Sequence, residues 1–214
     1  MQISADGYGL RERKRHRTRQ TIARVALELF DRQGFHDTTI PQIAEAADVS
    51  PRTVSAYFPH KEELAFPDAE VMFAGLETRL RERPPGESAT QALGGWMRSH
   101  LQEEAERGAE REIQRRIIRA DEGLRAYEHR FILRVQLTLA EAIARDLGVD
   151  ADALEPRMAA AATVTVVELL GKDYETGEPV AAGCERDPQA DVVALIDRAL
   201  LFIDGGIRAL GGAG

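Results

Sequence analysis

The stretch TIPQIAEAADVSPRTVSAYF, residues 39–58, determines the fold of the first part of the chain. Thr39 is followed three residues later by Gln42, which is the spacing of a helix-starting capping box. Ser50-Pro51 combines a good N-cap residue with the residue favoured at the first helical position. Asp48 lies between these two starts, where a tight turn needs a left-handed backbone that Asp tolerates. The stretch therefore predicts two short helices joined as a helix-turn-helix.

A longer helix is predicted before this motif, over residues 18–33. Gly34 follows it and supplies a residue suited to a left-handed C-terminal cap. A flexible basic arm is predicted over residues 1–16, because this range has no apolar stripe and includes most of the basic run Arg11–Arg17. The predicted helix shows apolar residues at i, i+4, i+7 and i+8, the pattern of one buried face: Ile22, Ala26, Leu29 and Phe30.

Helical periodicity continues through the rest of the chain, whereas alternating β-branched segments are nearly absent. The sequence therefore predicts an all-α fold of about nine helices. Beyond the motif, helices are predicted over 61–82, 88–107, 110–120, 124–147, 152–171 and 188–210, with a loop over 172–187.

Composition restricts the class of protein further. Hydrophobic residues make up 43% of the 214 residues, which is enough for a packed core, and the single cysteine excludes an intrachain disulfide and a cysteine metal cluster. The longest nearly uncharged apolar run, Met158–Val167, is shorter than the roughly 20 residues that cross a bilayer. The first ten residues lack the apolar core of a signal peptide. We therefore expect a cytoplasmic protein without membrane partners.

Charge is distributed unevenly along the chain. Residues 1–61 contain ten Lys/Arg and seven Asp/Glu, a net charge of +3, whereas the remaining residues carry a net charge of −11. A basic head on an acidic body indicates an anionic partner at one end. A solvated basic tail is the alternative interpretation.

The stretch from Thr18 to Leu64 resembles the DNA-binding domain of TetR/AcrR-family transcriptional regulators. This resemblance implies a basic arm over 1–16, a helix-turn-helix domain over 17–63 and a ligand-binding and dimerisation domain over 64–214. The resembling pieces are Ala26–Phe30, Gly34-Phe35, Thr38-Thr39, Ile43-Ala44, Ala47–Ser50, Tyr57-Phe58 and Lys61–Leu64.

The resemblance implies that the helix beginning at Pro51 enters the major groove of duplex DNA. Arg52 either reads a guanine, contacts a phosphate or is merely solvated. The sequence departs from the family at Ser55, where an aromatic residue is usual, and at His60, where a stronger cap is usual. The candidate DNA-binding residues are Arg17, Thr38, Thr39, Ser50, Pro51, Arg52, Thr53, Ser55, Tyr57 and Lys61.

The last two predicted helices are apolar on more than one face, so more than one neighbour must cover them. We expect them to form a four-helix bundle with a second copy of the chain, in agreement with the resemblance. A buried pair within one chain is the alternative. The candidate dimer-interface residues are Val164, Val167, Leu170, Leu195, Ala199, Phe202 and Ile203.

By resemblance, the middle helices enclose a pocket for a small, largely apolar ligand, and no cofactor is expected. Plain core packing is the alternative for each wall residue. The candidate wall residues are Trp96, Met97, His100, Tyr127 and Phe131.

The sequence thus predicts a ligand-released repressor that binds a near-palindromic DNA operator as a homodimer. A helical enzyme is the first alternative. His100 and Glu103 have the i, i+3 spacing of di-metal bundles, but no second such pair exists, and no catalytic loop motif is present. A helical adaptor that binds protein instead of DNA is the second alternative.

Overall fold

The computed structural model describes residues 9–106, 108–176 and 188–211. Within these ranges it contains nine α-helices, one 3-10 helix and no strand, so the predicted all-α class is confirmed. The α-helices are α1 (Leu10–Gln33), α2 (Ile40–Ala46), α3 (Pro51–Tyr57), α4 (Ala69–Arg81), α5 (Ala89–Glu106), α6 (Gly108–Ala120), α7 (Glu122–Leu147), α8 (Leu154–Thr176) and α9 (Pro188–Gly211), and the 3-10 helix is Lys61–Ala65.

The described residues divide into two compact units. The first unit comprises those within 1–70 and 107–128, and the second comprises those within 71–106 and 129–214. The resemblance places α6 in the C-terminal domain, whereas in the structure α6 packs against α1. Chain order alone did not reveal this contact, because α6 returns to the first unit after α5 has contributed to the second.

The first unit has a core built from α1, α2, α3, the 3-10 helix, α6 and the start of α7. Ion pairs and hydrogen bonds fix α6 at its edge: Gln114 Nε2 donates to the carbonyl oxygen of Ala65 at 2.6 Å, and Arg116 pairs with Asp31 of α1 at 2.6 Å. The most deeply buried side chains of this core are Ile22, Ala26, Phe30, Ile43, Ala44, Val54, Phe58, Leu64 and Leu124.

Helix α1 begins at Leu10, well before the predicted start at residue 18. The basic run Arg11–Arg17 is therefore helical, and the predicted flexible arm is wrong over this part. Arg, Lys and Glu are good helix formers, and adding residues to an existing helix costs far less than nucleating one. An exposed extension therefore needs no apolar stripe of its own.

The predicted helix over 61–82 is also interrupted. A 3-10 helix spans Lys61–Ala65, and α4 starts only at Ala69. Pro67 explains the break, because proline has no N–H to donate and disfavours helical backbone at the preceding Phe66. Farther on, α8 continues to Thr176 instead of ending at residue 171.

The second unit has its own core, formed by α4, α5, α7, α8 and α9. Helices α5 and α9 approach closely at Gly94, where an added Cβ would lie 2.8 Å from Leu200 Cδ1. A buried polar cluster joins the same helices: Asp204 accepts hydrogen bonds from Thr90 Oγ1 at 2.7 Å and from Ser88 Oγ at 3.0 Å. None of the helices, over the residues described, combines the length and hydropathy that crossing a bilayer requires.

Candidate nucleic-acid interface

The start of α2 has the capping box that its sequence predicts. Thr39 is the N-cap: its Oγ1 accepts from the Gln42 N–H at 3.4 Å, and the Gln42 side chain accepts from the Thr39 N–H at 2.8 Å. These bonds satisfy two backbone donors that a helix start otherwise leaves unpaired. Thr39 is exposed, so the predicted cap is confirmed and its surface remains open.

The turn between α2 and α3 is closed by backbone geometry. Asp48 has a φ of 54°, the left-handed conformation predicted for it. The Val49 N–H then donates to the carbonyl oxygen of Ala44 at 2.9 Å. Ala44 and Ile43 are almost completely buried, which holds the end of α2 on the core.

Helix α3 begins at the predicted cap. Ser50 Oγ accepts from the Thr53 N–H at 3.0 Å and lies 2.8 Å from Thr53 Oγ1. The hydroxyl groups of both residues therefore already bond to each other at the helix start. Pro51 occupies the first turn, where its missing N–H costs no hydrogen bond.

One side of α3 is anchored and the other is free. Val54 is completely buried, whereas Pro51, Arg52, Ser55 and Ala56 are exposed. The exposed residues form a short surface of small side chains around one long cation, Arg52. A helix of this kind can approach a DNA groove closely, because little bulk stands between its backbone and the base edges.

The end of α3 is held by Arg19, a residue that sequence analysis did not single out. Its Nη1 donates to the carbonyl oxygen of Tyr57 at 2.6 Å, and its Nη2 donates to that of Pro67 at 3.0 Å. The guanidinium also lies 4.1 Å from the centroid of the buried Phe58 ring. Tyr57 itself is half-buried against the core. No local sequence pattern predicts this role of Arg19, because its hydrogen-bond partners lie 38 and 48 residues away along the chain.

Lys61 is partly engaged inside the unit. Its Nζ donates to the carbonyl oxygen of Phe35 at 2.5 Å and lies 4.4 Å from the centroid of that ring. Burial lowers the pKa of Lys61, and the nearby carboxylates of Glu62, Asp121 and Asp37 oppose this effect. The side chain therefore stabilises the α1–α2 connection, in addition to any contact that it makes outside the chain.

Two other predicted residues lie away from the exposed surface of α3. Thr38 is completely buried, and its hydroxyl donates to the carbonyl oxygen of Gly34 at 2.7 Å. Its side chain thus has a structural position and offers no surface to a ligand. Arg17 is exposed on α1, in the part of the helix that precedes its buried residues.

The candidate wall residues of the ligand pocket are divided between the units. Trp96, Met97, His100 and Phe131 belong to the second unit, whereas Tyr127 belongs to the first, where it stacks on Phe66 at 5.4 Å. The side chain of Glu103, the proposed metal-pair partner of His100, lies outside the described residues.

Trp96 has the environment most suggestive of a binding function. Its ring stacks on that of His100 with centroids 4.0 Å apart. Its Nε1 is buried and has no hydrogen-bond partner among the described residues. A buried donor without a partner is costly, so an acceptor supplied from outside would be favourable here.

The candidate dimer residues divide into buried and exposed groups. Val164 and Ile203 are buried in the core of the second unit, Val167, Leu195 and Ala199 are half-buried, and the side chain of Leu170 lies outside the described residues. Phe202 is 81% exposed. Helices α8 and α9 pack against each other. They also carry exposed apolar residues that are not among the sequence candidates: Leu154, Met158, Leu169 and Leu201.

Comparison with known proteins gives consistent matches to one family. Residues 22–66, which include α2 and α3, match the family described as bacterial regulatory proteins, tetR family. The chain is 36% identical over 176 residues to the HTH-type transcriptional regulator TcmR of Streptomyces glaucescens. This match covers 79% of this chain and 78% of TcmR.

Solved structures share the fold over most of the chain. A SmeT–triclosan complex matches with a TM-score of 0.61 at 19% identity, over 87% of this chain and 91% of that chain. FadR of Thermus thermophilus, a TetR-family repressor in complex with lauroyl-CoA, matches with a TM-score of 0.55 at 22% identity, over 86% and 92%.

Proposed function

The chain belongs to the TetR family of bacterial transcriptional regulators, and we propose that it is a ligand-released repressor that binds a near-palindromic operator as a homodimer. The observation that carries this proposal is the exposed side of α3. Arg52 and its small neighbours stand on a helix whose opposite side is anchored by the buried Val54. A rigid support of this kind is what sequence-specific recognition requires.

We assign the DNA contacts to the exposed starts of α2 and α3 and to the residues beside them. Thr39 at the start of α2, and Ser50 at the start of α3, sit where backbone N–H groups point outward and favour phosphate. Arg52 is the candidate for base recognition. The other candidates of this surface are Pro51, Thr53, Ser55, Tyr57 and Lys61, whereas Arg17 remains a prediction from the sequence.

The second copy of the chain is proposed to pack on the exposed sides of α8 and α9. Apolar residues of both helices are exposed there, including Met158 at 52%, Leu201 at 74% and Phe202 at 81%. Several large apolar residues on two neighbouring helices are unusual on a free surface and typical of an interface. A two-fold dimer also presents two α3 helices to successive major grooves, so that a near-palindrome is read.

The ligand is proposed to be a small, largely apolar molecule bound in the second unit beside Trp96. The stacked ring of His100 offers an aromatic wall, and the Trp96 Nε1 offers a donor to a ligand acceptor. Met97 and Phe131, which belong to the same unit, stay candidate wall residues from the sequence. Two proteins of the same fold are described in complex with triclosan, which is largely apolar, and with lauroyl-CoA, which joins an apolar acyl chain to a charged carrier. The fold is thus compatible with such a ligand.

The proposed mechanism is a shift between two populations of the dimer. Ligand binding in the second unit favours a separation of the two α3 helices that no longer matches successive major grooves. A coupling free energy of about 1–3 kcal/mol corresponds to roughly 5- to 150-fold weaker operator binding. Helices α4 and α7 are the candidates to transmit the change, because each contains residues of both units.

Selection of duplexes from a random pool by the purified full chain tests the proposal. We expect enrichment of a near-palindrome, bound by two chains with high affinity at 150 mM salt. Recovery of no preferred sequence, or binding of a non-symmetric site by a single chain, would contradict it. The ligand step is tested with the enriched duplex: compounds that quench or shift the fluorescence of Trp96, the single tryptophan, must also weaken duplex binding.

A further inference from the structure

Helix α1 extends well beyond the core on which it packs. Its first completely buried residue is Ile22, twelve residues after its start at Leu10. At 1.5 Å per residue the extension is about 18 Å long. Every residue from Leu10 to Arg17 is exposed, and this segment contains five Lys/Arg and one Glu. The extension is therefore an exposed, strongly basic helix.

The cations of this helix lie on distinct faces. Arg11, Arg15 and Arg19 are four residues apart, so they follow one another along one face. Arg19 fixes the direction of that face, because its guanidinium binds the carbonyl oxygens of Tyr57 and Pro67. The row thus continues from the end of α3 along α1. Arg13 and Arg17 each follow a residue of the row by two positions, which corresponds to about 200° around the helix axis. They therefore lie on the opposite face of the helix.

The row has a small energetic cost that an anion beside it would offset. Like charges four residues apart repel each other and destabilise a helix. Arg11 and Arg15 are exposed, and the helix around them is not held by a core. A guanidinium fork matches a phosphate in geometry as well as in charge. A polyanion that lies beside the end of α3 would therefore stabilise this segment.

We propose that Arg11 and Arg15 form a phosphate-binding row that contacts the DNA backbone next to the groove entered by α3. This inference rests on the proposed function, because it requires α3 to lie on DNA. The segment acts as a helix and not as the flexible arm that the sequence predicts. A helix about 10–12 Å in diameter does not fit a minor groove about 6 Å wide, so the row follows phosphates and reads no bases.

The test compares two variants with equal loss of charge on the same helix. They are Arg11→Gln/Arg15→Gln on the row, and Arg13→Gln/Arg32→Gln as the control. The control removes one exposed cation from the other face of the extension and one from the far end of α1, and neither residue is among the DNA-binding candidates. Gln has nearly the helix propensity of Arg, so the helix itself is preserved. Affinity for the operator selected above is measured by fluorescence anisotropy from 50 to 300 mM salt. Thermal unfolding of each variant serves as the check on folding.

We expect the row variant to flatten the plot of log affinity against log salt by about two units per chain, since each lost phosphate contact removes about 0.9. The Arg13/Arg32 variant should change the slope by less than half as much. Arg11→Lys/Arg15→Lys should retain the parental slope. An unchanged slope in the row variant, or equal losses in both glutamine variants, would overturn the inference. If the parent binds no duplex, the proposed function itself fails.

Discussion

The ammonium group of Lys61 donates a hydrogen bond to the carbonyl oxygen of Phe35 at 2.5 Å and lies 4.4 Å from the centroid of the same residue's ring. A second carbonyl oxygen, that of His36, lies 3.4 Å away. Lys61 thus ties the 3-10 helix to the connection between α1 and α2. The family resemblance implies a phosphate contact for the same side chain, and the two roles make different predictions.

Lys61→Ala should destabilise the first unit. Hydrogen bonds made by a charged group contribute about 1.5–3 kcal/mol, and a cation over an aromatic ring contributes about 0.5–1 kcal/mol at an exposed site. Since Lys61 is partly exposed, we expect the free energy of unfolding to fall by about 1–3 kcal/mol, measured by urea denaturation. Lys61→Arg, which keeps the charge and the donors, should lose less. An unchanged unfolding curve for Lys61→Ala would show that the side chain has no structural role.

The phosphate contact of Lys61 is tested separately by binding. For Lys61→Ala, we expect weaker binding to every duplex, selected or random, and a salt dependence flatter by about one unit. These measurements are made below the temperature at which the variant begins to unfold. A loss of affinity without any change in the salt slope would assign the whole effect to folding.

Arg52→Ala should relax sequence preference at one operator position. Arg52 is exposed near the start of α3, and a bidentate contact with guanine discriminates by about 1–3 kcal/mol. Affinities for a set of duplexes with single substitutions measure this effect. Ala56→Ser, on the same exposed side, should leave the preference nearly unchanged. If Arg52→Ala weakens all duplexes equally, Arg52 contacts only phosphate.

Local patterns predicted the helix-turn-helix well. The capping box of Thr39, the cap of Ser50 and the left-handed Asp48 each depend on residues within four positions along the chain. Such short-range patterns can be recognised in a sequence, because the hydrogen bonds that they predict join residues close together along the chain. The starts of α2 and α3 were therefore predicted correctly.

Contacts between distant segments could not be read in the same way. Arg19 binds carbonyl oxygens far along the chain, and α6 packs on α1 after an intervening segment of the other unit. Ile203 of α9 is a candidate dimer-interface residue from the sequence, and in the structure it lies in the core of the second unit. An apolar stripe on a helix indicates that another element must cover it, but it does not indicate whether that element belongs to the same chain or to a second one.

Phe202→Asp should weaken the proposed dimer without unfolding the chain. The side chain is 81% exposed, so a carboxylate there costs nothing in the isolated chain but is buried in the interface. We expect dissociation to shift to at least tenfold higher concentration, measured by sedimentation equilibrium. Leu137→Asp on α7, where the wild-type side chain is 65% exposed, is the matched control and should not change the association. Equal behaviour of the two variants would exclude Phe202 from the interface.

The carboxylate of Asp204 should make the second unit sensitive to acid. Burial disfavours its ionisation, but hydrogen bonds from Thr90 and Ser88 and the charge of Arg208 outweigh burial and hold the pKa of Asp204 below its ordinary value of 3.8. A pKa lowered by folding contributes stability above the unfolded value, and this contribution disappears as the pH falls through the folded value.

Asp204→Asn should therefore lower the free energy of unfolding at pH 7, by about 1–3 kcal/mol for bonds made by a charged group. The difference between parent and variant should shrink as the pH falls below 3.8, the ordinary pKa of the group. Urea denaturation at a series of pH values measures it. Asp197→Asn, on the same helix, is the control. Asp197 is half exposed in its ion pair with Arg98, so its loss should cost at most about 1 kcal/mol. A difference between parent and Asp204→Asn that stays constant from pH 7 to pH 3 would mean that the stabilising species is not the ionised carboxylate.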